Sequence, residues 1–280
     1  MTAVMRRAIR HAPAYALLTL CAAILMFPLY VTIVYSLHPL GEFLKTSAPS
    51  LWPAHPQWDN YFSGSTGVRE TNVPRYLFNS FVMAGLITVG QLITASLAAY
   101  AFAFLRFPGR KVLFLVFLAT MMVPLEVAII PNFQTIQWLG WTDSYQGLVA
   151  PFLATGFGTF LLRQYFMTIP KELHDAAEMD GYGDLRFLLF VVLPLARGAL
   201  ATLAVFAFLQ AWNQYLWPLL VTNDPNMRTV QIGIAAETQN IDKINVAFAG
   251  TIVAFAPMVL LFVVFQRYLV RGLLGGALKG

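Results

Sequence analysis

Long uncharged apolar runs, not alternation, dominate this chain. No Asp, Glu, Lys or Arg lies between Arg10 and Glu42, between Arg75 and Arg106, between Arg197 and Asp224, or between Lys243 and Arg267. Each window holds at least the roughly 20 residues that cross a bilayer core at about 1.5 Å per residue. A fifth window, between Asp143 and Arg163, is just long enough, and a sixth, Val112 to about Ile130, qualifies but for Glu126. The pattern predicts six transmembrane helices near 13–37, 77–104, 112–130, 146–165, 198–221 and 246–268. Continuous apolar runs do not suit barrel strands, whose lipid-facing and lumen-facing residues alternate. In a helix each span pairs its own backbone polar groups, which lipid cannot do. The expected fold class is therefore all-α and polytopic.

Composition agrees. Of the 280 residues 58% are hydrophobic and 11% charged, against about 25% charged in ordinary soluble domains. That excludes a disordered chain and a water-soluble globule, and the single cysteine, Cys21, excludes a disulfide scaffold. The basic residues set an orientation. With the N-terminus cytoplasmic, Arg6, Arg7, Arg10, Arg106, Arg110, Lys111, Arg163, Lys171, Arg186, Arg197, Arg267, Arg271 and Lys279 fall inside. Lys45, Arg69, Arg75, Arg228 and Lys243 fall outside. Six spans place both termini in the cytoplasm. The first apolar run, about 25 residues long, exceeds the h-region of a signal peptide, so an uncleaved first span is expected. The basic excess is thus a topology signal, and no basic patch interleaved with aromatics points to nucleic acid.

The outer loop 38–76 is rich in Pro, Ser, Gly and Trp, with turn signals at Pro53, Pro56, Gly64 and Gly67. It predicts short helices or irregular structure. Residues 1–76 then form an N-terminal segment with the first span, and 77–280 the main transmembrane domain. The inner loop 166–190 is more informative. Five of the chain's 13 acids, Glu172, Asp175, Glu178, Asp180 and Asp184, lie within 172–184. Pro170 suits the first turn of a helix, Glu172 and Asp175 suit the positive end of its dipole, and Gly181 suits its stop. A short cytoplasmic helix from Pro170 to Asp180 follows. Leu173, Ala176, Ala177 and Asp180 share one face by helical spacing. An amphipathic helix lying on the membrane is the alternative. Such helices are usually Lys/Arg-rich, and an anionic leaflet repels an acidic one, which favours docking onto a protein.

Asp175-Ala176-Ala177-Glu178-Met179-Asp180-Gly181, with Phe187 and Leu193-Pro194-Leu195 downstream, resembles the EAA loop of bacterial ABC-importer permeases. The resemblance extends from about residue 70 to the C-terminus. Asp175 stands where that family usually has Glu, Tyr182 for Ala, and Gly198 for the last Pro. Phe78-Asn79-Ser80 at the start of the second span, the Met122–Val127 run ahead of Ile130-Pro131, and Ala211–Leu219 resemble carbohydrate-uptake permeases, most nearly the second permease subunit of maltose and sn-glycerol-3-phosphate systems. The resemblance implies a type I ABC-importer fold. It makes 170–181 the coupling helix that seats in an ATP-hydrolysing subunit, with Glu172, Leu173, Asp175, Ala176, Ala177, Asp180 and Gly181 as the coupling residues. It implies a homologous second permease, an ATP-binding subunit dimer and an extracytoplasmic substrate-binding protein as partners. The small polar solute would cross the bacterial inner membrane, with ATP and Mg on the partner ATPase.

Candidate lining of the path is sparser. Glu126 is the only acid inside a predicted span; it can line the path, pair structurally, or sit at the interface. Pro124 and Pro131 bracket it and predict a bend. Trp212, Asn213, Gln214 and Tyr215 place aromatic and amide groups mid-span, suited either to sugar contact or to interhelical hydrogen bonds. Gln91, Thr94, Ser96 and Asn79 read as packing positions, and Gly156 and Gly158 as close helix contacts. No phosphate-cradling Gly-Lys-Ser/Thr loop, metal-spaced His/Cys cluster or nucleophile–base pair exists in the sequence, so the chain is expected to be neither an ATPase nor an enzyme, with no cofactor of its own. An ion-gradient-driven carrier is the competing class; it would need paired interior acids in broken helices, and only Glu126 is available.

Overall fold

The computed structural model describes residues 3–45, 50–63, 67–239 and 241–274. Gly64 and Lys279 lie outside them. Secondary structure among these residues is helical: α1 (Ala3–Ser36), α2 (Val73–Ala103), α3 (Arg110–Thr120), α4 (Leu125–Trp138), α5 (Gly156–Phe166), α6 (Lys171–Met179), α7 (Asp184–Leu195, with a π-helical stretch Leu188–Val192), α8 (Arg197–Trp212) and α9 (Ile244–Leu274), joined by shorter helical turns.

Three stretches are long and apolar enough to cross a membrane: Ala12–Ser36, Val73–Ala103 and Ile241–Gln266. Two bent pairs bring the number to as many as five among the described residues. Tyr145–Phe152 meets α5 at 48°, and α7 meets α8 at 82°. The window 112–130 is not one helix. It breaks at Met121–Pro124, where Pro124 lacks an amide to donate and adopts an extended ψ of 138°. The window 198–221 is also interrupted. α8 ends at Trp212, and a separate short helix, Leu216–Val221, follows.

Contacts group the chain into two compact units. One comprises 1–74 and 234–256. Here the described part of 38–76 forms short helices, as expected, at Leu40–Lys45, Asp59–Phe62 and Val68–Glu70, around a buried polar network. Asn60 Nδ2 donates to the carbonyls of Ser36 (2.8 Å) and His38 (3.1 Å), and Asn245 Nδ2 donates to Asn60 Oδ1 at 2.8 Å. Buried His38 is held between Glu42 and the Ser50 carbonyl. Tyr35, Phe43 and Phe248 close the network on its apolar side.

The other unit comprises 75–233 and 257–280. Its α2 is tied to neighbours by side chains that would otherwise be polar groups in an apolar wall. Asn79 Nδ2 donates to the carbonyls of Asn226 (2.7 Å) and Arg228 (2.9 Å), while the Tyr145 hydroxyl donates to Asn79 Oδ1 (2.7 Å). Gln91 and Thr94 donate to the carbonyls of Phe152 and Leu153 at 2.9 and 2.7 Å, which satisfies the broken end of the 145–152 turn. A Cβ on Gly158 would stand 3.1 Å from Leu203 Cδ1 and 3.2 Å from Ala95 Cβ, so α5 approaches α8 and α2 closely there. Asp143, with φ of 51°, accepts from the amides of Asn223 (2.6 Å) and Asp224 (2.8 Å) and pins its own turn to the one at 223–224.

Candidate functional site

The acidic inner segment folds as α6, one residue shorter at each end than its sequence predicts. Pro170 is the residue before the helix, with extended ψ of 137°, and not part of its first turn. Its fixed φ still sets the entry, and Glu172 lies in the first turn. The exit is a Schellman motif. Gly181 adopts φ of +76°, its amide donates to the Glu178 carbonyl at 3.0 Å, and the Tyr182 amide donates to the Ala177 carbonyl at 2.9 Å.

The two alanines do not share a role. Ala177 is buried in the unit's own core with Ala99, Tyr100, Leu162, Phe166 and Phe187. Ala176, Leu173, Met179 and Asp180 are exposed, Met179 at 90%. The outward stripe is therefore apolar with an acidic flank, because Glu172, Asp175 and Glu178 are exposed too.

His174 anchors the helix from its side. Its ring lies parallel to Phe104 (centroids 5.7 Å apart) and edge-on to Phe187 (5.0 Å). Nδ1 stands 4.0 Å from Asp175 Oδ1 and 3.8 Å from Glu178 Oε1, and Nε2 stands 3.9 Å from Asp184 Oδ1. These distances are beyond hydrogen-bond range and mark a charge environment. His174, Asp175 and Glu178 offer ligand atoms within 4.8 Å of one another, a grouping that spacing in sequence did not suggest. Its carboxylates are more than half exposed and the two ring nitrogens face different acids, so it is not a preformed cation cage. Below it, the Tyr100 hydroxyl donates to Asp184 Oδ1 at 2.7 Å, and Arg186 lies 4.4 Å over the Tyr182 ring.

The path residues divide. Trp212 is only 2% exposed, stacked on Phe208 (5.6 Å) and edge-on to Phe81 (4.8 Å), as a packed aromatic anchor. Asn213 is exposed at the end of α8, its side-chain amide donating to the Leu209 carbonyl at 2.9 Å. Tyr215 is exposed two residues on. Between them Gln214 Oε1 is buried without a hydrogen-bond partner. Glu126 is exposed in the first turn of α4, immediately after the Pro124 break, so it is not a charge enclosed mid-helix. Ile129, one turn along, packs with Trp217 and Val221 of the helix that follows the 213–215 interruption. The two broken windows, 112–130 and 198–221, thus meet just beyond their breaks. Trp217 Nε1 adds a buried bond to the Gly147 carbonyl at 3.1 Å.

Known proteins match this arrangement along nearly its whole length. The family described as binding-protein-dependent transport system inner membrane component matches residues 91–275. Among named relatives, the sn-glycerol-3-phosphate transport system permease protein UgpE of Brucella abortus (strain 2308) is 38% identical, covering 96% of this chain and 97% of that protein. UgpE of Agrobacterium fabrum is 39% identical over 95% and 97%, and that of Yersinia enterocolitica 40% over 92% and 94%. In fold, the chain superimposes with a TM-score of 0.80 on a chain of a bacterial ABC transporter involved in the import of the acidic polysaccharide alginate, at 23% identity, covering 96% of this chain and 98% of that one. The same kind of transporter in complex with an alginate pentasaccharide-bound periplasmic protein aligns with a TM-score of 0.62 at 15% identity. The chain belongs to the binding-protein-dependent transport system inner membrane components, the permease subunits of ABC importers.

Proposed function

We propose that this permease forms half of the translocation pore for sn-glycerol-3-phosphate, beside a homologous second permease. The observation that carries the substrate is the 38–40% identity, over more than nine-tenths of the chain, to permeases named for that solute. No feature of the chain or its relatives favours an ion-gradient-driven carrier. In this reading six spans cross the inner membrane with both termini cytoplasmic, supported by the distribution of basic residues. The window 112–130 is then crossed by α3 and α4 around their break. Residues 1–76 serve as an N-terminal segment and 77–280 as the transport domain.

The exposed stripe of α6 docks an ATP-binding subunit. Leu173, Ala176 and Met179 supply apolar contact, and Glu172, Asp175 and Asp180 supply partners for basic groups. Ala177 and Gly181 act differently, the first seating α6 on its own core and the second ending it. ATP and Mg belong to that partner, and an extracytoplasmic binding protein delivers the solute. Asn213, Gln214 and Tyr215, at the interruption after α8, offer amide and hydroxyl groups to a polyol phosphate. Trp212 holds that interruption in place, and Glu126 stands at the opposite break.

The test is ATP-driven uptake by the reconstituted full complex, with labelled sn-glycerol-3-phosphate competed by maltose and by a glycerophosphodiester. Uptake that requires ATP and is displaced best by unlabelled sn-glycerol-3-phosphate is expected. Better displacement by either competitor overturns the substrate, and uptake driven by an ion gradient without ATP overturns the class.

A further inference from the structure

The turn between α2 and α3 encloses an open depression of about 370 Å³, lined by Arg106, Phe107, Gly109, Arg110, Lys111 and Val112. Three of its six lining residues are cations and none is an acid. No Asp or Glu occurs in the sequence between Glu70 and Glu126. Among the described residues, Arg106, Arg110 and Lys111 form no ion pair. Arg110 Nη1 donates to the Leu105 carbonyl at 2.8 Å, which fixes its guanidinium at the rim, while Arg106 and Lys111 are exposed. Phe114, one turn beyond Arg110, carries the Arg163 guanidinium 4.0 Å over its ring, so a fourth positive charge backs the same end of α3. Nothing lies within 4 Å of a Cβ position at Gly109, so the turn is open there.

The wall of this depression continues directly into Val112, Leu113, Leu115 and Val116, which are 64%, 52%, 64% and 57% exposed. Apolar exposure of that extent on a membrane-protein helix is what acyl chains cover. Anionic lipid headgroups attract basic groups at the membrane surface by about 1 kcal/mol per Lys or Arg. A soluble anion would satisfy the charges and leave the apolar wall unexplained.

We infer that the Arg106–Lys111 turn is a binding site for the phosphate headgroup of an anionic phospholipid, with the acyl chains lying along α3. The Arg106–Lys111 turn is separate from α6 and from the interruption at 213–215.

The full-length chain, purified in its transporter assembly, is titrated with phosphatidylglycerol, phosphatidylcholine or inorganic phosphate, and bound lipid is counted by native mass spectrometry. Wild type should retain phosphatidylglycerol in preference to phosphatidylcholine, and millimolar inorganic phosphate should not displace it. Arg106→Gln with Lys111→Gln should weaken phosphatidylglycerol binding about 25-fold, roughly fivefold for each basic group lost near a headgroup. Arg197→Gln, which removes an exposed charge outside this depression, should leave it unchanged. Arg106→Lys with Lys111→Arg should keep wild-type binding. The site is refuted by undiminished binding in the double glutamine variant, by an equal drop in Arg197→Gln, by loss in the charge-preserving pair, or by displacement with inorganic phosphate.

Discussion

The hydroxyl of Tyr100, near the end of α2, donates a 2.7 Å hydrogen bond to Asp184, the first residue of α7. Residues 84 positions apart are thereby joined directly beneath α6. His174 approaches the same Asp184 oxygen from above at 3.9 Å, and Phe104 and Phe187 pack around both. The acidic helix is therefore mounted on α2 and α7 and does not hang from a loop. A push on its outer face would pass into two helices of the unit.

Tyr100→Phe removes this bond while keeping the ring packing. Asp184 is 60% exposed and can turn to water, so the expected cost is about 1 kcal/mol, below the roughly 1.5–3 kcal/mol of hydrogen bonds to charged groups. Thermal melting of the purified assembly checks the stability. If the mount transmits force, solute-stimulated ATP hydrolysis should fall more than basal hydrolysis does.

The alanines should separate folding from docking. Ala177→Leu overpacks a site with no room, at about 1–3 kcal/mol, and should lower the melting temperature. Ala176→Glu alters only the exposed stripe. It should leave melting unchanged and reduce co-purification of the ATP-binding subunit. Equal co-purification in both variants would remove the outward stripe from the interface.

Gly181→Val forces a β-branched residue into φ of +76° and should cost about 1–2 kcal/mol, more than Gly181→Asn, since Asn tolerates the left-handed region. Melting curves of the two variants give the comparison.

Glycines inside the helices make a sharper pair. A Cβ on Gly233 would stand 2.0 Å from the Tyr76 ring, whereas one on Gly85 meets nothing within 4 Å. Gly233→Ala should destabilise by about 1–3 kcal/mol through a clash that needs ring or backbone movement. Gly85→Ala should be neutral or stabilising by up to about 1 kcal/mol, from helix propensity alone.

An alkaline limit should be visible in the outer segment. Burial pushes the Tyr61 hydroxyl up from its ordinary value of 10.0, against the opposing effect of its bond to Ser36. The folded state thus holds the proton more tightly than the unfolded chain. The associated stability is complete below pH 10 and is lost as pH rises from there through the folded value. Tyr61→Phe should flatten the fall of the melting temperature above pH 10.

The inner helix was legible because its determinants are local. Pro170, Glu172 in the first turn and Gly181 act within a few residues of themselves, and the structure differs by a single residue at each end. Three membrane-length helices were legible for the same reason: about 20 apolar residues in succession leave the backbone one way to satisfy itself in lipid. The continuity of 112–130 and 198–221 was not. Pro124 signals a bend, but whether a bend becomes a break depends on what receives the freed groups. The outer network of Ser36, His38, Asn60 and Asn245 joins positions up to 185 residues apart, and no spacing rule brings such residues together.

By itself, then, the sequence determined the helical membrane class, the short acidic helix and its ends, and the motif that marks an importer permease. These rest on hydropathy, caps and charge, which act along the chain. Tertiary structure alone decided that Ala177 turns inward while Ala176 turns outward, that Trp212 is an anchor, that Glu126 stands exposed after a break, and that α6 packs through His174 onto Phe104 and Phe187. Adjacent residues on a helix point about 100° apart, and only the arrival of a packed core on one side settles which of them is buried.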